Sequence, residues 1–189
     1  SNMDAAIAAF PVQIGESFEM MKNWSPLNEY SGIQKIMILG MGGSAIGGDI
    51  ARVIISNQCS VPIIVNRSYT IPKWVDSNTL ILASSYSGET VEILSAFSLC
   101  RERNCPILVL STGGTLARHA DDLGLDWIAI PEGCQPRAAL GFSFTLILMV
   151  LEHFGFIPYT VVENVKHAMQ PIKNLCTELS QPDNSALTI

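Results

Sequence analysis

The sequence predicts a three-layer α/β fold, with a five-stranded parallel sheet between helices. Five short runs are almost continuously apolar instead of alternating, as strands covered on both faces are. They are residues 35–40 (KIMILG), 61–66 (VPIIVN), 79–84 (TLILAS), 106–111 (PILVLS) and 127–130 (WIAI). Between them lie segments long enough for helices, 43–57, 88–103 and 114–123. Strands that alternate with helices build right-handed βαβ units and an open parallel sheet.

Ahead of the first strand, Pro11 suits a first helical turn, and Ile14, Phe18 and Met21 repeat at helical spacing. Residues 23–32 (NWSPLNEYSG) read as a loop. Within 88–103, Ile93, Phe97 and Cys100 share one helical face. Residues 138–155 (AALGFSFTLILMVLEHFG) are apolar on every face, so a helix there must be buried all round. Two covers are open to it: the terminal helices of this chain, or a second domain or subunit. Val161, Val165, Ala168, Ile172 and Leu175 keep a helical register, which Pro171 is expected to kink or split. Residues 180–189 (SQPDNSALTI) read as a linker. The chain thus divides into a helical flank (3–31), the sheet domain (32–158), and a helix with linker (159–189).

Hydrophobic residues make up 48% of the 189 and charged residues 15%, against roughly 25% charged in an average domain. Part of the apolar surface is therefore expected to be covered by a partner or a further domain. Eleven Lys+Arg against 17 Asp+Glu leave a net charge of −6, which argues against a general nucleic-acid or anionic-membrane binder. Phosphate recognition then falls to backbone amides and one or two cations. The 5 cysteines form no C-x-x-C pair and read as free thiols of a reducing compartment. No basic-then-apolar leader is visible, and the longest uncharged apolar run falls short of the ~18 residues of a membrane span. The expected location is cytoplasmic.

In such sheets ligands bind at the carboxyl ends of the strands, where the strand order reverses. Two loops there stand out. Gly40-Met41-Gly42-Gly43-Ser44 leaves the first strand; its glycines let backbone approach a ligand, and Ser44 can cap the next helix. Ser84-Ser85-Tyr86-Ser87-Gly88-Glu89-Thr90 leaves the third strand. There Ser85, Ser87, Thr90 and a glycine amide sit where a helix begins, which makes an anion site. Three hydroxyls exceed what one cap requires, and phosphate is the expected ligand. Glu89 reads as a first-turn carboxylate favoured by the helix dipole and turned away from that phosphate. Gly40-x-Gly42-x-x-Ala45 also matches the dinucleotide fingerprint, with Arg67 available for the 2′-phosphate of NADP. That alternative leaves SSYSGET unexplained.

Taken together, GMGGSAIGGD (40–49), SSYSGET (84–90) and PRAALG (136–141) resemble the sugar isomerase (SIS) domain. Within it they are similar to the bifunctional phosphoglucose/phosphomannose isomerase family, over about residues 10–158. The resemblance implies a flavodoxin/Rossmann-like sheet, with Gly42, Gly43, Ser44, Ser85, Ser87 and Thr90 on the sugar phosphate. It implies Arg137 as the catalytic guanidinium that stabilises a cis-enediolate, a task suited to a permanent charge. It implies interconversion of glucose 6-phosphate or mannose 6-phosphate with fructose 6-phosphate, chemistry that requires no metal or redox cofactor. The sparse charge and the apolar 138–155 segment make a homodimer the expected assembly. Members carry two such domains, their catalytic Glu, His and Lys in the second, so this chain is expected to be the first domain of a longer isomerase. His119, His153 and His167 fall on helices away from the loops and read as structural. Glu132 is the candidate base inside the chain, though nothing in the sequence positions it. The alternatives are a stand-alone single-domain phosphosugar isomerase or sensor, and the NADP module.

Overall fold

The computed structural model describes residues 8–179. Helix α1 (Phe10–Met21) leads to β1 (Lys35–Leu39), α2 (Gly42–Ile54), β2 (Ile63–Asn66) and β3 (Thr79–Ser84). Next come α3 (Val91–Glu102), β4 (Ile107–Ser111), α4 (Gly114–Leu123) and β5 (Asp126–Ala129). A single 3-10 turn (Pro136–Ala138) precedes α5 (Leu140–His153) and α6 (Tyr159–Leu179). The sheet runs β2-β1-β3-β4-β5 with every pair parallel, the α/β fold expected. The predicted strands and intervening helices form where the apolar pattern puts them, with ends shifted by a few residues.

Strand alternation divides the core in two. Ile36, Ile38, Leu80, Leu82, Leu108 and Leu110 pack with Ile14 of α1, Ala51 of α2 and Ile55 at its C-cap, Phe142 of α5 and Val161 of α6. Met37, Leu39, Ile81, Ala83 and Val109 pack on the other side with Ile93 and Phe97 of α3 and Leu116 of α4. Burial on both faces is why these strands read as unbroken apolar runs. The chain lays β2 on one side of β1 and then β3 on the other. The gap between the carboxyl ends of β1 and β3 is therefore the switch point. Leu39 pairs with Ala83, so the loops that follow these strands start level.

Helix α5 is covered by its own chain. Phe142, Leu146, Ile147, Val150 and Leu151 are at most 1% exposed, with α1, α2 and α6 packed around them. The interface reading of this helix is thereby corrected to the core one: two terminal helices and α2 supply the faces the sheet cannot. The apolar side chains left in solvent include Ile46, Val53 and Ile54 of α2. Pro171 lies inside α6 and does not split it. The second half of that helix faces mainly solvent, where water can take the carbonyl that the proline frees. The linker expected at 180–189 lies outside the described residues.

His119 meets Phe97 edge-on and His153 packs against Trp24, both structural contacts. Cys59, Cys100, Cys105 and Cys134 are free thiols. No helix of the described residues is long and apolar enough to cross a membrane. The loop after α1 is tied down by Asp126, a buried carboxylate at the start of β5. It accepts from the N–H groups of Leu27 (2.6 Å) and Asn28 (3.1 Å), the Asn28 amide (3.0 Å) and the Tyr30 hydroxyl (2.7 Å). Burial pushes its pKa up, but these bonds outweigh that and hold it below the usual carboxylate range.

Candidate functional site

The loop after β3 is organised around its hydroxyls. Ser85 is buried, and its Oγ lies 2.9 Å from Oγ1 of Thr90. Thr90 occupies the N-cap position of α3 but makes no side-chain cap, because its hydroxyl is turned to Ser85. The first N–H groups of α3 are left for a ligand, together with the positive end of the helix. Ser87 Oγ accepts from the Glu89 N–H at 3.2 Å. Gly88 has φ +69°, which only glycine adopts at no cost. A Cβ there would also overlap the Gly113 carbonyl oxygen, so this loop and the one after β4 interlock.

Glu89 does turn away from the loop, but not toward its own helix. Its carboxylate accepts from the N–H (2.7 Å) and hydroxyl (2.8 Å) of Thr115, at the start of α4, with Arg118 at 3.7 Å. The Thr115 hydroxyl, then its N–H, hold the Glu89 pKa below the usual range. The dipole it serves is that of α4, a correction to the first-turn role expected on α3.

On the neighbouring strand, Met41 is the N-cap of α2, and it too contributes no side-chain cap. Ser44 is not the cap expected from the sequence. The chain is already helical at Gly42, and Ser44 lies within the first turn, its N–H on the Met41 carbonyl at 3.1 Å. Gly43 permits a close approach: a Cβ there would stand 2.7 Å from the Pro136 carbonyl oxygen and 3.3 Å from Arg137 Cα. The structure thus brings Arg137 against the amino end of α2. Arg137 is exposed, and among the described residues no carboxylate pairs with it.

Two residues with no signal of their own in the sequence reading hold the Arg137 segment. Gln13 of α1 is 3% exposed. Its Nε2 donates to the Ala138 carbonyl at 2.6 Å, and its Oε1 accepts from the Gly141 N–H at 2.9 Å. Tyr86 donates its hydroxyl to the Pro131 carbonyl at 3.1 Å and accepts from the Cys134 N–H at 2.9 Å. Burial, above all, raises the Tyr86 pKa and keeps that hydroxyl protonated. Tyr86 was visible only as a letter of the motif, and Gln13 only as a polar position on an amphipathic helix.

The remaining candidates fall elsewhere. Arg67 is held by Asp49 of α2, which engages the guanidinium that an NADP 2′-phosphate would need. Glu132 is exposed in the segment after β5. The described residues contain no cluster of His, Cys, Asp or Glu able to hold a metal ion.

Residues 29–157 match the SIS domain family. A bifunctional phosphoglucose/phosphomannose isomerase of Caldicellulosiruptor bescii is 45% identical over 155 residues, which is 82% of this chain and 46% of that protein. A D-glucosamine-6-phosphate 4-epimerase of Sulfolobus acidocaldarius is 33% identical over 133 residues, 70% of this chain and 42% of that one. The chain therefore spans about half the length of these relatives. Among solved structures, the C-terminal domain of glucosamine-fructose-6-phosphate aminotransferase from Francisella tularensis superposes with a TM-score of 0.64 at 14% identity. That match covers 92% of this chain and 54% of the other and is a likeness of fold. The sequence match goes further: it runs from before β1 to beyond α5, through every strand and both loops, and by it this chain belongs to the SIS domain family.

Proposed function

We propose that this chain is the phosphosugar-binding half of an aldose–ketose isomerase that interconverts glucose 6-phosphate or mannose 6-phosphate with fructose 6-phosphate. The observation that carries the reading is the Ser85–Thr90 hydroxyl pair, which leaves α3 uncapped beside the switch point. The isomerase relative at 45% identity supports it over an NADP module, as does the pairing of Arg67 with Asp49.

In this reading the phosphate rests on Ser85, Ser87, Thr90 and the Gly42, Gly43 and Ser44 turn. Neutral donors and two helix ends suffice for a dianion in an acidic protein. A base takes the proton from carbon 2 of the open-chain aldose, the charge spreads onto the cis-enediolate oxygens, and the proton returns to carbon 1. Arg137, permanently charged, stabilises the enediolate. The base and the ring-opening acid come from a second SIS domain in a cytoplasmic homodimer. Residues 1–189 alone then bind the sugar but do not turn it over, since the base is worth about 10²–10⁴ in rate.

Calorimetry tests this. Fructose 6-phosphate is expected to bind, and Ser87→Ala or Thr90→Ala to weaken it by about 1.5–3 kcal/mol each. NADPH is expected not to bind, and tight NADPH binding without a response to sugar phosphates would reverse the assignment. Turnover of fructose 6-phosphate by residues 1–189 would place a base within them, with Glu132 the first to replace. A monomeric mass for the full-length protein would remove the homodimer.

A further inference from the structure

We infer that Gln13 and Tyr86 are positioning residues that clamp the segment 131–141 and thereby set Arg137 over the amino end of α2; the role rests on the proposed function. Between β5 and α5 the chain has one 3-10 turn, closed by the Ala138 N–H on the Gln135 carbonyl at 2.8 Å. Little else within the segment fixes its path. Its geometry is imposed from two sides: the Tyr86 hydroxyl holds Pro131 and Cys134 before Arg137, and Gln13 holds Ala138 and Gly141 after it, with a longer contact of 3.9 Å back to the Cys134 sulfur.

Each holder is itself fixed. The Tyr86 carbonyl accepts from both the N–H (2.9 Å) and the hydroxyl (2.8 Å) of Thr112, which anchors the root of the ring. Gln13 is buried between α1 and α5, where an unpaired amide would be costly and an apolar residue would fill the space without bonding. Tyr86 also belongs to the loop that carries Ser85, Ser87 and Thr90. The phosphate end of the site and its guanidinium end are thus tied through one residue. A substrate gripped at its phosphate presents its reacting carbons at a fixed distance, so a small displacement of Arg137 removes its contact while leaving the anchor intact.

Tyr86→Phe keeps the ring and loses the hydroxyl; Gln13→Met keeps the length and loses the amide's bonds to Ala138, Gly141 and the Cys134 sulfur. Hydrogen exchange by NMR is expected to speed up about tenfold at the Cys134 amide in the first and at the Gly141 amide in the second, with β3 amides unchanged as the folding control. Fructose 6-phosphate should bind about tenfold more weakly to each, while inorganic phosphate binds as before. In an Arg137→Ala background, Tyr86→Phe should add nothing. Unchanged exchange overturns the clamp. Faster exchange with unaltered sugar binding, or an equal loss in the Arg137→Ala background, overturns the positioning role. If Gln13→Met does not fold, Tyr86→Phe decides alone. A wild-type chain that binds no fructose 6-phosphate sinks the proposed function and this role with it, while the exchange rates still settle whether the clamp exists.

Discussion

Gly88→Ala is expected to lower stability by about 2–5 kcal/mol and to abolish sugar-phosphate binding by what remains folded. Two costs add. The left-handed backbone costs a side-chain-bearing residue about 1–2 kcal/mol, and forcing a methyl into packed structure about 1–3 kcal/mol. The methyl would meet the Gly113 carbonyl, while the Gly88 carbonyl already accepts the Leu116 N–H at 3.0 Å, so neither loop can step aside freely. Gly124 separates the two terms. It closes α4 at φ +61° with nothing within 4 Å of a Cβ, so Gly124→Ala should show the backbone cost alone. Urea unfolding of both variants reads the difference. Equal losses would mean that the interlocked loops have room to spare.

Asp126→Ala should cost about 3 kcal/mol or more, since several hydrogen bonds to one buried charge are lost together. The Leu27 and Asn28 N–H groups would be left without their acceptor, and the Tyr30 hydroxyl would keep only the Ile107 carbonyl, at 3.3 Å. The pH dependence has a definite sign. A carboxylate whose pKa is depressed by folding stabilises the protein above its unfolded value, about 3.9, and that contribution is lost as pH falls through the lower folded value. The gap between wild type and Asp126→Ala in urea midpoint should therefore be full near neutrality and close below about pH 4. A gap that stays constant into acid would show that Asp126 acts through shape and not charge. The same bonds fasten the segment that follows α1, so this variant should also loosen Gln13 from the Arg137 segment.

The strands were legible because burial on both faces leaves an apolar run that needs no partner to be recognised. Residues 79–84 are all buried, and all but Thr79 and Ser84 are apolar. The hydroxyl loop was legible because Ser85, Ser87 and Thr90 crowd into one turn. What escaped were single side chains bonded to distant backbone. Gln13 obeys the amphipathic pattern of α1 whether or not it meets the Gly141 N–H, and Asp126 looks like any strand-end acid until the loop folds over it. Glu89 was misassigned for the same reason: proximity in sequence favoured α3, and the interlocked loops gave it α4. For Pro171 the helical register alone leaves a split open, and only the solvent along the second half of α6 shows why the helix continues through it.

The two ends of the site also differ in how far apart along the chain their parts lie. Ser85 and Thr90 are 5 positions apart, whereas Gln13 and Gly141 are 128 apart. The anion loop can close on local contacts once its strand has paired, but the seat of the guanidinium requires α1 to meet α5, which follows all five strands along the chain. Closing so long a loop is entropically costly and slow. The half that grips phosphate is therefore expected to mature before the half that handles the reacting carbons, both in refolding and on the ribosome. Pulse-labelled refolding would show it as protection of the Gly141 amide later than that of Leu82 in β3. Simultaneous protection would mean that the domain closes in a single step.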